Sequence, residues 1–315
     1  MSNTIWHEGE RAVQERVGAR ERLEQLGQRV IREAMPDQHR EFFAQLPFVI
    51  AGSVDDAGQP WASVLAAPPG FMQSPDPQQL VLRVQSLADD PLKQNLADGM
   101  AIGLLGIEPH TRRRNRLNGV VHGLNEAGFS VRVTQSFGNC PKYIQAREPM
   151  YVGDAPEGAA VTEGSQLDAA ARRLITLADT LFIATAYAGI TGEAGRAGGV
   201  DVSHRGGKPG FVRVDADDTL TMPDFFGNFF FNTLGNIAVS PRAGLLFVDF
   251  DNGDLLYLAV HAEIIWDGAE LESFPGALRL LRFKVMAMKR VTGSLPLRWG
   301  PAELSPALQA TGTWA

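Results

Sequence analysis

The sequence predicts a mainly β protein with flanking α-helices, built from two similar halves in tandem. Glycine (33 residues) and proline (19) are spread along the 315 residues, which is typical of many short strands joined by turns. Short apolar runs recur from residue 47 onwards, and three of them return in the same order in the second half. Each half is expected to be a small antiparallel barrel of about five or six strands with a helix at its side.

Composition and charge exclude several classes of protein. The hydrophobic content is 44%, and the net charge of −7 offers no basic field for nucleic acid. Cys140 is the only cysteine, so an intrachain disulfide and a cysteine-built zinc site are excluded. No apolar run approaches the roughly 20 residues of a membrane span, and the N-terminus does not resemble a secretory signal. We therefore expect a cytoplasmic protein with no membrane or nucleic-acid partner.

The N-terminal segment predicts one amphipathic helix over residues 8–34. Its apolar side chains recur at roughly helical spacing: Val13, Val17, Leu23, Leu26, Val30 and Ile31. Pro36 ends the helix. We expect residues 1–37 to form an N-terminal helical extension that packs on the body or on a partner subunit. A second short helix is predicted over residues 38–46.

Strand patterns follow one another along the rest of the chain. PFVIAGSV and PWASVLA form a predicted hairpin around the turn DDAG. Further first-half strands are LVLRVQ, MAIGLLGIE, RLNGVVHGL and GFSVRVTQSF, with a helical turn at DDPLKQNLADG. After a loop over residues 148–166, DAAARRLITLADT predicts a helix, LFIATAYAG a strand, and DVSHRGGKPGFVRVD a turn and a strand. FFNTLGNIAVSPRAG predicts a helix and a loop, and GLLFVDF and LLYLAVHAEIIWD predict strands.

The repeated runs indicate an internal duplication. The matched pairs are Phe48 with Phe182, Ser63 with Ser203 and Leu104 with Leu246, at offsets of 134, 140 and 142. Small drifts in offset are what loop insertions produce. We expect a first half over residues 38–150 and a second half over residues 151–315, which pair as an internal pseudo-dimer.

One motif whose residues suit ligand binding or catalysis is DVSHRGGKPGFVRV, residues 201–214. Ser203 offers a hydroxyl, and His204 and Arg205 offer donors, of which arginine suits phosphate. Gly206 and Gly207 let the backbone approach a ligand closely. The alternative is a hairpin loop with ordinary turn residues.

A second motif covers residues 222–250, where aromatic residues surround Gly227 and Asn228. Asn232, Thr233 and Asn236 have helical spacing and can share one face of a short helix. Such aromatics can flank a planar ring while the amides address its heteroatoms. The alternative is a core-packing aromatic cluster with asparagine caps.

A basic cluster, TRRRNRLNG, covers residues 111–119. It is interpreted as a solvated hairpin tip that runs into a strand. The alternatives are a phosphate contact, or a docking site for an acidic partner or a nucleotide substrate.

The acidic stretch DFDNGD is interpreted as a turn because it lacks the later glutamate of a calcium loop. No metal site is predicted, and no phosphate-loop, dinucleotide-binding, hydrolase or zinc-protease motif occurs.

Both motifs, together with SFGNCPKYIQ (residues 136–145), resemble the pyridoxamine 5′-phosphate oxidase-like family. The likeness is greatest to its predicted flavin-nucleotide-binding branch, a split β-barrel group that binds FMN. It extends from about residue 38 to residue 299, where SLPLRW ends. The resemblance implies tandem FMN-binding split β-barrels that form a pseudo-dimer, with FMN in the cleft between them.

The resemblance also implies the cofactor site. The residues implied are Ser203, His204, Arg205, Gly206, Asn228, Asn232, Thr233 and Asn236, with Lys142 and Tyr143 from the first half. The family often has a basic residue where this chain has Phe229–Phe231, so either Arg205 or Lys142 holds the phosphate. Cys140 is interpreted as a small packing residue, because a nucleophilic thiol needs an activating base or a strong positive field.

The predicted activity is that of an FMN-dependent oxidoreductase with an unknown small-molecule substrate. The sequence leaves open whether the protein uses a nicotinamide reductant, has an electron-transfer partner or forms a homodimer. No residue is clearly required as an acid or a base. One alternative is a non-catalytic flavin-nucleotide-binding or stress-response protein. Another is a haem-binding or haem-degrading split barrel with a strand histidine as the ligand. The first half has VLAA in place of HRGG, so one competent cleft per chain is expected.

Overall fold

Two large antiparallel sheets dominate the computed structural model, which describes residues 5–153, 159–187 and 198–314. The helices are α1 (Glu8–Arg16), α2 (Arg20–Val30), α3 (Asp37–Gln45), α4 (Leu92–Asn95), α5 (Ala169–Leu177), α6 (Asn232–Val239) and α7 (Ala269–Glu272). The first-half strands are β1 (Phe48–Val54), β2 (Pro60–Ala66), β3 (Met72–Gln73), β4 (Gln79–Leu82), β5 (Ala101–Glu108), β6 (Arg113–Asn125), β7 (Gly128–Gly138) and β8 (Pro149–Tyr151). The later strands are β9 (Val161–Gly164), β10 (Thr180–Tyr187), β11 (Gly199–Gly206), β12 (Arg213–Val214), β13 (Thr219–Phe225), β14 (Arg242–Val248), β15 (Leu255–Ile265), β16 (Ala277–Val291) and β17 (Leu297–Trp299). The predicted mainly β fold class is confirmed.

The two sheets have the same order of strands. The first runs β2-β1-β5-β6-β7-β4-β3, and the second runs β11-β10-β14-β15-β16-β13-β12, with β9 added on β16. Each path has seven strands, more than predicted, because very short edge strands leave little pattern in a sequence. A tandem duplication would produce such a match, and the boundaries at residues 37 and 150 stay a prediction.

Strand register corrects two of the matched pairs. Phe182 pairs with His204 and Leu246, and Ile50 pairs with Val64 and Leu105. Ladder position therefore equates Phe182 with Ile50, where sequence similarity had matched it to Phe48. It likewise equates Leu246 with Leu105 and not with Leu104. The serines Ser63 and Ser203 do occupy equivalent positions. Similar apolar residues that lie one or two positions apart can shift a sequence alignment, whereas hydrogen bonding between strands sets the true register.

The N-terminal prediction of one helix is wrong. The segment forms two helices, α1 and α2, with a break at Gly18, whose φ is +66°. A left-handed residue ends a helix, and glycine takes that conformation without a steric cost. The predicted helix over residues 38–46 is confirmed as α3.

Two further predictions need correction. The HRGG motif begins in strand β11 and not in a turn, because its first three residues pair with β10. The basic cluster begins at the predicted hairpin tip, formed by Pro109–Thr111 with Arg112, and runs into β6 from Arg113, but it is not solvated throughout, because Arg116 is buried. The predicted loop over residues 148–166 contains β8 and β9, and residues 154–158 of it lie outside the described part.

The sheets share a buried interface. One apolar core lies in each half, and a third joins β1 and β2 to β10 and β14 through residues such as Phe48, Val64 and Phe182. A cleft opens beside this third core. None of the helices in the described ranges is long and apolar enough to cross a membrane.

Candidate functional site

The cleft lies where β5 and β6 of the first half meet β11, β13 and residues 226–234 of the second. It contains about 870 Å³ of empty space, open solvent included. Its polar and charged lining consists of Arg114, Arg116, Asn139, Lys142, Tyr143, Ser203, His204, Arg205, Asp224, Asn228, Asn232, Thr233 and Arg279. Its apolar lining includes Leu105, Met222, Phe225, Phe229, Phe231 and Leu234. Both halves therefore contribute to one cleft.

Nine of the ten residues implied from the sequence line this cleft. They are Lys142, Tyr143, Ser203, His204, Arg205, Gly206, Asn228, Asn232 and Thr233. The exception is Asn236, which is buried behind the wall. Its Nδ2 donates to Thr185 Oγ1 at 3.0 Å and to Asp201 Oδ2 at 2.9 Å. Asn236 thus supports the cleft from behind.

The site implied by the resemblance did not include five polar lining residues, Arg114, Arg116, Asn139, Asp224 and Arg279, although a phosphate contact was one alternative for the cluster that contains the first two. Arg114 and Arg116 belong to the basic cluster, and as alternate residues of β6 they lie on the same face of the sheet. That alternation was the available signal. Arg279 belongs to β16, the 15-residue strand that the sequence analysis did not identify.

A buried carboxylate, Asp201, organises one wall. It accepts hydrogen bonds from Arg116 Nη1, Asn118 Nδ2 and Asn236 Nδ2, each at 2.9 Å. Arg116 Nη2 also donates to Ser203 Oγ. Ser203 Oγ lies 3.1 Å from Thr233 Oγ1. The hydroxyl of Ser203, and through it that of Thr233, is therefore linked to the buried ion pair of Arg116 and Asp201.

Asp224 lies between two arginines on another wall. Its Oδ1 is 2.6 Å from Arg205 Nη1, and its Oδ2 is 2.8 Å from Arg279 Nε. The guanidinium of Arg279 also lies 5.1 Å from the ring centroid of Phe231. One carboxylate thus balances two cations, which leaves a surplus of positive charge.

Arg114 has no carboxylate within 4 Å among the described residues. Its Nε donates to the main-chain oxygen of Cys140 at 2.8 Å, and its Nη1 donates to the main-chain oxygen of His204 at 3.2 Å. Burial, with Arg205 and Arg116 nearby, lowers the pKa of Arg114 to about 10. The group therefore stays cationic at neutral pH.

His204 is buried beside Arg114. Its ring Nδ1 lies 3.3 Å from Arg114 Nη1, so Nδ1 accepts and the proton belongs on Nε2. Burial and the neighbouring arginines lower the pKa of His204 well below its ordinary value. The imidazole is therefore neutral and adds no positive charge to the cleft.

The balance of charge in the lining favours an anion. Among the described residues that line it, five side chains are cationic, namely Arg114, Arg116, Lys142, Arg205 and Arg279, and Asp224 is the one carboxylate. Donors also remain without a partner among the described residues: Arg116 Nε, Arg205 Nε and Asn139 Nδ2 are buried and unsatisfied. Buried donors without partners are costly, and a bound anion would satisfy them. This donor set fits a phosphate group.

The aromatic segment over residues 226–231 borders the cleft in a strained conformation. Phe229, Phe231 and Tyr143 all have positive φ, at 61°, 64° and 65°. This region costs a non-glycine residue about 1–2 kcal/mol. Tyr143 Oη donates to the main-chain oxygen of Phe226 at 3.1 Å, and Lys142 Nζ lies 4.5 Å from the Phe226 ring centroid. Residues of the first half thereby hold an aromatic wall that belongs to the second.

The positions that correspond to these residues when the two halves are exchanged lack their charges. By ladder position Val64 corresponds to His204, Leu65 to Arg205 and Tyr257 to Arg116. Tyr257 is buried, and its hydroxyl donates to Asp90 Oδ2 at 2.8 Å. A second anion site of the same kind is therefore not built there.

Residues 35–154 match the sequence model of the family described as pyridoxamine 5′-phosphate oxidase. The first half of the chain is similar to this family. The resemblance noted from the sequence motifs is thereby confirmed, and the match ends before β9 begins. It excludes α1, α2 and the second-half wall of the cleft.

Solved structures give weaker likenesses. HupZ of Group A Streptococcus is 18% identical, with 38% of this chain and 90% of that chain covered and a TM-score of 0.30. A putative pyridoxamine 5′-phosphate oxidase of Lactobacillus delbrueckii is 15% identical, with 40% and 94% covered and a TM-score of 0.29. A FAD-binding protein of Mesorhizobium loti is 13% identical, with 42% and 97% covered and a TM-score of 0.28. No curated protein sequence matches the chain.

Proposed function

We propose that this cleft binds FMN and that the protein is an FMN-dependent oxidoreductase acting on a small molecule. The observation that carries the proposal is the cationic cleft with aromatic walls, in a chain whose residues 35–154 match the model of the pyridoxamine 5′-phosphate oxidase family. Such a lining suits a ligand that has a phosphate at one end and a planar ring at the other.

The phosphate is assigned to the corner formed by Arg114, Lys142 and Asn139. Arg114 is the strongest candidate, because its charge has no carboxylate partner in the described part of the chain. Arg205 is engaged with Asp224, so it is a second contact and not the principal one. The resemblance implied Arg205 or Lys142 for the phosphate, whereas Arg114 belongs to the basic cluster, for which a phosphate contact was one of the alternatives.

The ring is assigned to the part of the cleft lined by Phe229, Phe231 and Asn232. Aromatic side chains exclude water, and Asn228, Asn232 and Thr233 carry groups that can hydrogen-bond ring heteroatoms. Bound FMN would supply reversible uptake of a hydride or of electrons. The protein's own contribution is orientation, positive charge and exclusion of solvent.

The first experiment is a visible absorption spectrum of the purified protein with and without added FMN. Flavin bands that stay with the protein through desalting would support the proposal. A colourless protein that ignores added FMN would overturn it. A Soret band would instead indicate haem; His204 of β11 lines the cleft, whereas His122 and His261 do not.

Activity needs a separate measurement. Anaerobic bleaching of the bound flavin by a nicotinamide nucleotide or a candidate small molecule would establish an oxidoreductase. Flavin that binds tightly but is not reduced by any such donor would leave a non-catalytic flavin-binding protein. The same titration in the presence of a candidate redox protein tests for an electron-transfer partner.

A further inference from the structure

The N-terminal helix α1 brings a buried carboxyl group to the cleft wall. Glu10 is 3% exposed, and its Oε1 accepts from Asn232 Nδ2 at 2.5 Å. Its other oxygen, Oε2, accepts from the main-chain nitrogen of His7 at 3.0 Å. Both carboxyl oxygens therefore have fixed donors, and the side chain has one orientation.

Two glycines allow this contact. A Cβ at Gly9 would lie 2.1 Å from the main-chain oxygen of Gly235, and a Cβ at Gly235 would lie 2.6 Å from the nitrogen of Glu10. Real Cβ atoms do not approach so closely, so α1 and α6 pack backbone to backbone only because both residues are glycine. This close packing puts Glu10 within reach of Asn232, at the start of α6.

The hydrogen bond to Glu10 decides which end of the Asn232 amide faces the cleft. Because Nδ2 is used by Glu10, the carbonyl oxygen Oδ1 is the atom left for a ligand. No hydrogen bond to Oδ1 comes from the residues that the structure describes. Asn232 directly follows the aromatic residue Phe231 on the side of the cleft assigned to the ring.

We infer that Glu10 is a positioning residue that presents Asn232 Oδ1 as an acceptor for a ring N–H of the bound ligand. The inference rests on the proposed function. An oxidised flavin ring has a single N–H, at N3, so this position would read the N3 edge. The N-terminal extension, which lies outside the matched family segment, would thereby take part in ligand recognition.

The ligand-side test compares FMN with N3-methyl-FMN on the wild-type protein by fluorescence titration. Burial raises the pKa of Glu10 well above its ordinary value, so the titration belongs in alkaline buffer, where the carboxyl can only accept. We expect methylation to weaken binding about tenfold, as loss of one buried hydrogen bond does. Equal binding of the two flavins would overturn the inference and leave the proposed function intact. Failure of both flavins to bind would overturn the two together.

The protein-side test is Glu10→Gln. The new amide can donate to Asn232, which then turns its own NH₂ group toward the cleft. We expect FMN to bind about tenfold more weakly and the penalty for N3-methylation to shrink to about twofold or less. Glu8→Gln is the matched control, because Glu8 lies in the same helix with an exposed side chain. An unchanged methylation penalty in folded Glu10→Gln would contradict the inference.

Discussion

The guanidinium of Arg114 is tied to Cys140 through the main chain: its Nε donates to the Cys140 carbonyl oxygen at 2.8 Å. The thiol takes no part in this bond. The only cysteine of the chain thus lies at the corner assigned to the phosphate without contributing its own chemistry. Its neighbours Asn139 and Lys142 line the cleft, whereas Cys140 does not.

Cys140→Ser is therefore expected to leave FMN affinity and any turnover within about twofold of wild type. Substitution keeps the main-chain oxygen that Arg114 uses, and the side chain is only half-buried. Flavin titration and the rate of flavin reduction check this. Complete loss of reduction in a folded Cys140→Ser variant would show that the thiol is required.

Arg114→Met should weaken FMN roughly 10- to 100-fold, because a charge-assisted hydrogen bond to phosphate is lost. Riboflavin, which has no phosphate, should bind the variant and the wild type alike. The comparison of the two flavins by titration isolates the phosphate contact from any general damage. Arg113→Met is the matched control, since the exposed Arg113 lies next to Arg114 and outside the cleft lining. Equal losses for FMN and riboflavin would move the phosphate away from Arg114.

Arg205→Ala should also weaken FMN, by about tenfold or less, since Asp224 already engages its guanidinium at 2.6 Å. Asp224 keeps Arg279 as a partner in this variant, so the fold should persist. Asp224→Asn is the converse change, and it should destabilise the free protein by leaving two arginines uncompensated. Thermal unfolding with and without FMN checks both. Unchanged FMN affinity in Arg205→Ala would remove Arg205 from the site.

The strands were predictable because short apolar runs bounded by turn residues leave a local pattern, as PFVIAGSV and the turn that follows it show. The cleft residues on β11 and α6 were predictable from family motifs. Arg279 was not, although residues 281–285 of β16 alternate between apolar and basic, because an arginine at a buried position breaks that pattern. The contact of Glu10 with Asn232 could not be predicted either, because it spans 222 residues and depends on two glycines that meet only in the folded chain.

The buried imidazole of His39 predicts a loss of stability in acid. Its Nδ1 lies 2.8 Å from Ser136 Oγ, and burial, with Arg32 and Arg113 nearby, lowers its pKa to about 4. Since the unfolded value is about 6.5, folding favours the neutral ring. The resulting stabilisation is complete above about pH 6.5 and is lost as the pH falls toward 4, with a maximum of about 3 kcal/mol.

Urea unfolding across this pH range tests the assignment. His39→Gln should remove that part of the pH dependence, because glutamine does not titrate. His261→Gln serves as the control, since His261 is exposed on β15. An identical slope in wild type and His39→Gln between about pH 6.5 and 4 would show that other groups are responsible.

One FMN per chain is the expected stoichiometry, because Tyr257 stands where the functional cleft has Arg116. Val64 and Leu65 replace His204 and Arg205 at the same site, so no cation of that set remains to hold a phosphate. Titration of the protein with FMN, followed by fluorescence quenching, should reach its end point at one equivalent. Arg116→Met should weaken that single site, whereas Val64→Ala should leave it unchanged. An end point at two equivalents would show that the second set of positions binds flavin without these cations.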